Sequence, residues 1–325
     1  MTWLVTGGAG FIGSHVVRAL LADGARVVVL DDLSTGDKSR VPDGVPLEIG
    51  SVRDRALLYR VLAEHQIGGV VHIAAKKQVG ESVEKPLWYY EENVGGLRIL
   101  LSAVVEAGVR RLVFSSSAAV YGSPDVPLIT EDTPCEPQSP YGETKLVGEW
   151  LIRDVAAAHG LAYANLRYFN VAGAASPELG DPTALNIVPM VFERIEAGLP
   201  PRIFGADYDT PDGTTIRDYI HVGDIASAHV AAARRLERDE HAALTLNIGR
   251  GEGVSVRELV DRILEHTGSD LVPEITPRRA GDAARSIASA DRIKAELGWS
   301  AQYDIADMVA SAWAGWRMRH DAFTH

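Results

Sequence analysis

Short β-branched runs alternate with longer stretches of helical spacing through the first half of the chain. Trp3–Thr6, Arg26–Leu30, Val70–Ala74, Arg111–Ser115 and Ala162–Arg167 read as strands. They are almost wholly apolar, as strands are when both faces of a sheet are covered. Between them, Ile12–Asp23, Arg53–His65, Pro86–Gly108 and Tyr141–His159 carry apolar residues at helical period. Such alternation predicts parallel βαβ units with crossovers on both faces of one sheet.

After about Asn170 the pattern changes. Gly, Pro and Asp become frequent through Gly173–Asp181 and Pro200–Gly213, while Ile187, Val188, Ile203 and Phe204 keep an apolar content. A strand–helix return is expected at Tyr219–Arg234, and helices at Ser255–Thr267 and Ile305–Trp316. The fold class is α/β: a Rossmann-type doubly wound parallel sheet with a smaller, loop-rich C-terminal substrate lobe. The expected division is 1–170, with 215–240 returning to it, and a discontinuous lobe over 171–325.

Composition narrows the function. Of 325 residues, 46% are hydrophobic and 23% charged, which is ample for a core. Thirty-two basic against 44 acidic residues give a net charge of −12. That excludes bulk binding to nucleic acid, which cationic side chains carry; a small anion needs only a few local arginines. The single cysteine, Cys135, rules out an internal disulfide and fits a reducing compartment. Cys and His show no metal-ligand spacing, so no metal is expected. No secretory leader or membrane-spanning stretch is read, and the expectation is a cytoplasmic protein.

Thr6-Gly7-Gly8-Ala9-Gly10-Phe11-Ile12-Gly13 follows the first strand and opens the first helix. Gly7 and Gly10 permit a tight turn and close approach to a pyrophosphate, and Gly13 permits close helix–sheet packing. The helix N-terminus adds free N–H groups and partial positive charge. Asp31 ends the second strand about 20 residues on, placed to accept ribose hydroxyls. Its charge repels a 2′-phosphate, which favours NAD over NADP. No Gly-Lys-Ser/Thr follows the glycines, which disfavours a P-loop nucleotidase.

Ser115-Ser116-Ser117 ends the fourth strand candidate's segment, and Tyr141 and Lys145 stand at i and i+4, on one helix face. The lysine ammonium favours phenolate, so a lowered Tyr141 pKa is expected. An oxidised nicotinamide adds a second positive charge, bringing the phenol toward use as a general base. Ser117 is placed to hydrogen-bond the same substrate hydroxyl.

These motifs resemble the extended short-chain dehydrogenase/reductases that act on nucleotide sugars, most closely the UDP-glucose 4-epimerase branch. The likeness runs nearly end to end. It includes Val79–Val83, Pro86–Tyr90, Arg167-Tyr168-Phe169-Asn170, Ile203–Tyr208 and Asp212–Val222. It implies reversible 4-epimerisation of a UDP-hexose through a transient 4-keto sugar, with Ser117, Tyr141 and Lys145 as the catalytic group. The implied cofactor set comprises Gly7, Gly10, Phe11, Ile12 and Gly13, then Asp31, Asp32 and Ser34, then Ser51 and Val52. Ile73, Ala74, Ala75 and Lys77 lie along the cofactor, with Asn93, Tyr141, Lys145 and Phe169 also near it. The UDP-sugar falls to Asn170, Asn186, Ile187, Ile203, Phe204 and Asp282, with Arg217 and Arg279 on the diphosphate and Ser117, Tyr141 and Ser286 at the sugar. The resemblance also implies a homodimer built on Pro86–Gly108 and Tyr141–His159. Trp88, Tyr89, Leu97, Leu100, Leu101 and Val104 are the expected apolar surface.

Two departures matter. Ser51 stands where the branch often carries an acid toward adenine. Ser286 is small at a position whose size decides whether an N-acetyl group fits. The alternatives are a UDP-glucuronate 4-epimerase, suggested by Arg202 and Arg285, and a non-catalytic NAD-sensing protein. A 4,6-dehydratase needs an acid/base pair where this chain has Ala118 and Ala119.

Overall fold

Strand β1 (Thr2–Thr6), fully buried, lies inside a seven-stranded parallel sheet in the computed structural model, which describes residues 1–181, 183–279 and 281–321. The sheet continues with β2 (Arg26–Asp31), β3 (Leu47–Ile49), β4 (Gly69–His72), β5 (Arg111–Ser117) and β6 (Ala162–Tyr168). Three short strands follow, β7 (Asn170–Ala172), β8 (Arg202–Phe204) and β9 (Ile216–His221), before β10 (Ala243–Ile248) rejoins the main sheet. The spatial order is β10-β6-β5-β4-β1-β2-β3. Strand order therefore reverses between β1 and β4, and ligands bind at the carboxyl ends of strands at such a point.

Helix α1 (Phe11–Ala22) covers one face of the sheet. The other carries α2 (Arg55–Glu64), the short α3 (Val79–Glu84) and α4 (Pro86–Tyr89), then α5 (Gly96–Glu106) and α6 (Pro140–His159). The chain continues through α7 (Ile187–Glu196) to α8 (Val222–Arg238), which joins α1 against the first face. Helix α6 is well bounded: Pro140 takes its first position, Ser139 Oγ accepts from Gly142 N at 3.2 Å, and Gly160 ends it at φ +67°.

The second lobe is built on β9, which pairs with β7, with β11 (Gly253–Ser255) and, after β12 (Glu274–Thr276), with β13 (Arg285–Ser286). Strand β12 pairs with β8. Val188, Phe192, Ile203, Leu259, Ile263 and Met308 form its core with α9 (Val256–Thr267) and the last helices, α10 (Asp291–Leu297) and α11 (Ile305–Asp321).

Four features differ from the sequence reading. The expected helix over Pro86–Gly108 is interrupted by a π-helical turn, Tyr90–Gly95. Strand β4 ends at His72; beyond it Ile73 N and Ala74 N both donate to Thr6 O at 3.1 Å, and Asn93 holds the backbone of Lys76. The strand Ile216–His221 belongs to the small sheet, and Ala243–Ile248 supplies the seventh strand of the large one. Finally, Tyr89, Leu97, Leu100, Leu101 and Val104 are spent on this chain's own core and offer no outward face. The exposed apolar residues of that region are Val79, Val83, Leu87 (84% exposed) and Trp150.

Candidate active site

The glycine loop is shaped by contacts that only glycine allows. Gly7 has φ +74°, and a Cβ there would stand 2.7 Å from the backbone N of Ala74. A Cβ on Gly13 would stand 1.9 Å from Gly7 O. Both obstacles are backbone, so α1 packs onto the loop only because these side chains are missing. Gly10 caps α1 without a side-chain hydrogen bond, leaving the first-turn amides of Phe11, Ile12 and Gly13 to a ligand. Gly8 escaped the sequence reading; its Cβ would press on Val29 at 2.8 Å.

Asp31 is buried where β2 ends. Ala9 N donates to its Oδ2 and Leu33 N to its Oδ1, both at 2.9 Å. Burial raises its pKa above the ordinary carboxylate value against these two bonds. Each oxygen keeps a further lone pair for a ribose hydroxyl. Asp32 accepts from Ser34 N at 2.9 Å, and Ser34 Oγ accepts from Lys76 Nζ at 3.0 Å. Ser51 follows β3 and accepts from Arg53 N at 3.1 Å, with Val52 buried beside it. Ile73, Ala74 and Ala75 line the exit of β4, half-buried, and Lys77 is exposed. Asn93 grips the backbone of Lys76 through both halves of its amide, at 2.8 and 2.9 Å, and donates to Thr144 Oγ1 at 3.1 Å. It thus ties the β4 loop to the helix that carries Tyr141. Phe169 is buried beyond β6. The loop's missing Cβ atoms, the uncapped helix end and the buried carboxylate fit a dinucleotide.

Ser117 ends β5, its Oγ accepting from Ala119 N at 3.1 Å. Tyr141 and Lys145 occupy the first turns of α6, 7% and 3% exposed. Lys145 Nζ donates to Ser115 O at 2.8 Å and lies 5.9 Å from the Tyr141 ring centroid. Burial pulls Lys145 down to about 8, with the Glu149 carboxylate opposing. Tyr141 departs from expectation: burial raises its pKa, and the hydrogen bond with Ser117 opposes only in part. The protein by itself therefore keeps this phenol neutral.

A cavity of about 760 Å³ opens against the second lobe, and Ser117, Tyr141 and Lys145 are not on its wall. Of the residues assigned to a nucleotide sugar, Asn170, Asn186, Ile187, Phe204, Arg217, Arg279 and Asp282 line it, as does Lys77. Ile203 is fully buried behind Phe204. Ser286 does not line the cavity; it pairs in register with Arg217. Ser117 pairs with Tyr168, two residues before Asn170 on the cavity wall. Arg217 is anchored by the carbonyls of Ile216 and Ala283, both at 2.9 Å, and faces Asp282 at 3.4 Å. The Arg279 guanidinium lies 3.8 Å over the Phe204 ring. Asn186 caps α7, and its Nδ2 donates to Asp181 at 2.6 Å. Sequence reading missed Gln78, Met190, Glu193, Arg194 and Tyr219 on the wall; nothing in their spacing marks them. Glu274 pairs with both Arg202 (3.3 Å) and Arg194 (3.8 Å), so the basic charge noted there is partnered.

Fold and site together define an α/β enzyme of the dinucleotide-binding class, in which Tyr141 and Lys145 lie buried on one helix and Ser117 ends the neighbouring strand. Residues 3–249 match the NAD dependent epimerase/dehydratase family, and the chain belongs to it. It is 45% identical over 317 residues to a UDP-glucose 4-epimerase of Azospirillum brasilense, covering 96% of this chain and 91% of that one. A UDP-glucose 4-epimerase structure from Stenotrophomonas maltophila, with bound NAD and formylated UDP-arabinopyranose, superposes with a TM-score of 0.94 at 43% identity, covering 99% of both chains. The Bifidobacterium longum UDP-glucose 4-epimerase in complex with NAD+ and UDP gives 0.91 at 39% identity, again over 99% of each chain.

Proposed function

We propose that this chain is an NAD-dependent 4-epimerase that interconverts UDP-glucose and UDP-galactose through a transient 4-keto sugar. One observation carries the reading: Tyr141 and Lys145, buried on the first turns of α6, stand with the half-buried Ser117 at the carboxyl end of β5, in a chain whose second lobe opens a cavity bearing Arg217 and Arg279. Bound NAD supplies a hydride acceptor beside sugar C4, and its reduced form a hydride donor to the other face. Tyr141 Oη takes the proton of the 4-hydroxyl and later returns it. Ser117 Oγ hydrogen-bonds the same oxygen and relays that proton. Lys145 supplies positive charge beneath the phenol and binds the cofactor ribose. Arg217 and Arg279 pair with the diphosphate, where planar guanidinium donors suit anionic oxygens. Ala118 and Ala119 have no group to transfer a proton, so the keto sugar is not led into loss of water.

A solved UDP-Glc/GlcNAc 4-epimerase from Campylobacter jejuni, 36% identical with a TM-score of 0.86, supports acceptance of the N-acetylated sugars too; Ser286, off the cavity wall, adds nothing to that reading. The exposed Leu87 and Trp150 support a homodimer formed through α4 and α6. No helix among the described residues is long and apolar enough to cross a membrane. The lone free Cys135 supports a cytoplasmic setting.

The test is incubation of the purified protein, without added cofactor, with a panel of UDP-sugars. Expected products are the 4-epimers of UDP-glucose and of UDP-N-acetylglucosamine. Tyr141→Phe is expected to abolish turnover with NAD still bound. Full activity of that variant would refute the role given to Tyr141. Light scattering on the same sample reads the dimer.

A further inference from the structure

Three consecutive serines end β5, and the first two are gripped from opposite faces of the sheet. Ser115 Oγ contacts His229 Nε2 of α8 at 2.8 Å, and His229 Nδ1 contacts Ile225 O at 2.8 Å. A carbonyl only accepts, so Nδ1 donates, Nε2 accepts and Ser115 donates. On the other face, Ser116 Oγ donates to Glu149 Oε1 of α6 at 2.5 Å. Arg167 of β6 holds the same carboxylate, Nε to Oε1 at 2.9 Å and Nη2 to Oε2 at 2.5 Å. Its remaining arm donates to Tyr121 Oη at 2.8 Å, and Tyr121 donates to Asn247 of β10 at 2.7 Å. All these groups are buried. A buried ion pair of this kind is weak evidence of stabilisation, because desolvation offsets its attraction; fixing geometry is the better-attested use.

The placement of Glu149 gives that use a target. It lies eight residues after Tyr141 and four after Lys145, so one face of α6 carries the proposed general base, its cation and the anchor for β5. Lys145 adds a second tie to the same strand end through Ser115 O. Resting on the epimerase reading, we propose that Glu149, backed by Arg167, is a positioning residue: by holding Ser116 it fixes the neighbouring Ser117 hydroxyl relative to Tyr141.

The experiment is a mutant cycle on the NAD-loaded enzyme. Ser116→Ala removes only the buried hydroxyl. It is expected to lower kcat by about tenfold to a hundredfold, as small misplacements of catalytic groups do, with KM for UDP-galactose and NAD content unchanged. In a Ser117→Ala background the same substitution should cost nothing further, because the group it positions is gone. Glu149→Gln should show at least the Ser116→Ala loss of kcat and, unlike Ser116→Ala, move the alkaline fall in rate to lower pH, because the carboxylate that opposes discharge of Lys145 is gone. A Ser116→Ala enzyme with unaltered kcat overturns the proposal, and so does an equal loss in both backgrounds, which marks a purely structural role. Parent protein that epimerises no UDP-hexose removes the underlying reading itself, and the proposal falls with it.

Discussion

Lys145 Nζ donates a hydrogen bond to the carbonyl oxygen of Ser115, 2.8 Å away, which anchors the ammonium group against the end of β5. The lysine is therefore fixed in place and mainly protonated at neutral pH, but within reach of discharge at mildly alkaline pH. Its pKa of about 8 reflects burial first, with Glu149 opposing.

An alkaline limit on turnover follows. Log kcat should fall above about pH 8 as Lys145 loses its proton. Lys145→Arg, whose guanidinium does not titrate in this range, should be slower but lack that limb. Stability moves the other way. Folded Lys145 binds fewer protons than the unfolded chain between about 8 and the free lysine value near 10.4, so stability rises with pH across that window. Loss of rate there without loss of fold separates ionisation from denaturation. A flat rate profile to about pH 10 would contradict the assignment.

The raised pKa of Tyr141 makes a second expectation. In NAD-free protein the absorbance difference between the parent and Tyr141→Phe should show no phenolate below about pH 10. Loading with NAD should lower that midpoint by at least about one unit, each unit needing about 1.4 kcal/mol of stabilisation from the added positive charge. An unchanged midpoint on loading would mean that the cofactor's charge is not what activates the phenol.

The glycine loop and the Tyr141/Lys145 pairing were legible in the sequence because local rules place them. Tyr141 and Lys145 share a face by helical spacing, and glycine positions report backbone contacts. The long apolar runs gave five strands of the main sheet. Strand Leu47–Ile49 is too short to show a period, and Ala243–Ile248 mixes polar Thr245 and Asn247 into an apolar run. Glu149 and Arg167 look like solvated charges when read along the chain, and only the pairing of β5 with β6 under α6 reveals them as a buried pair. The apolar stripe of Leu97, Leu100 and Val104 was read as a surface because sequence cannot say how much core a helix must fill. The direction of the Tyr141 shift was missed for a related reason, since burial outweighs the neighbours that spacing reveals.

Gly13→Ala tests the cofactor cradle. The new methyl carbon would fall 1.9 Å from Gly7 O, a backbone atom that cannot swing aside. Either α1 lifts from the loop or the loop opens, and both spoil the pyrophosphate seat. The purified variant should carry no NAD, read from its absorbance ratio, and unfold earlier by about 1–3 kcal/mol, the usual cost of overpacking. Parent-level NAD content would show that the close approach is not needed for binding.

Acid should weaken the fold through its buried histidines. Burial lowers His15, His221 and His229 to about 4 and His72 to about 3. Each is neutral in the folded chain but protonates near 6.5 when unfolded, so the stability it contributes is complete above 6.5 and lost as pH falls toward 4. Asp218, raised to about 6 by burial, has the opposite sign, taking up a proton in the folded state over the same range. His15 is the informative one to remove. Its Nδ1 contacts Phe11 O at 2.8 Å and its Nε2 accepts from Ala175 N at 3.1 Å, so a second ring proton must break the latter bond. His15→Asn should cost stability at pH 7 yet flatten its pH dependence near pH 5 by about 1.4 kcal/mol per pH unit, one proton's worth. Urea unfolding at the two pH values measures both, and an unaltered slope would show that His15 stays neutral in the unfolded chain or charged in the folded one.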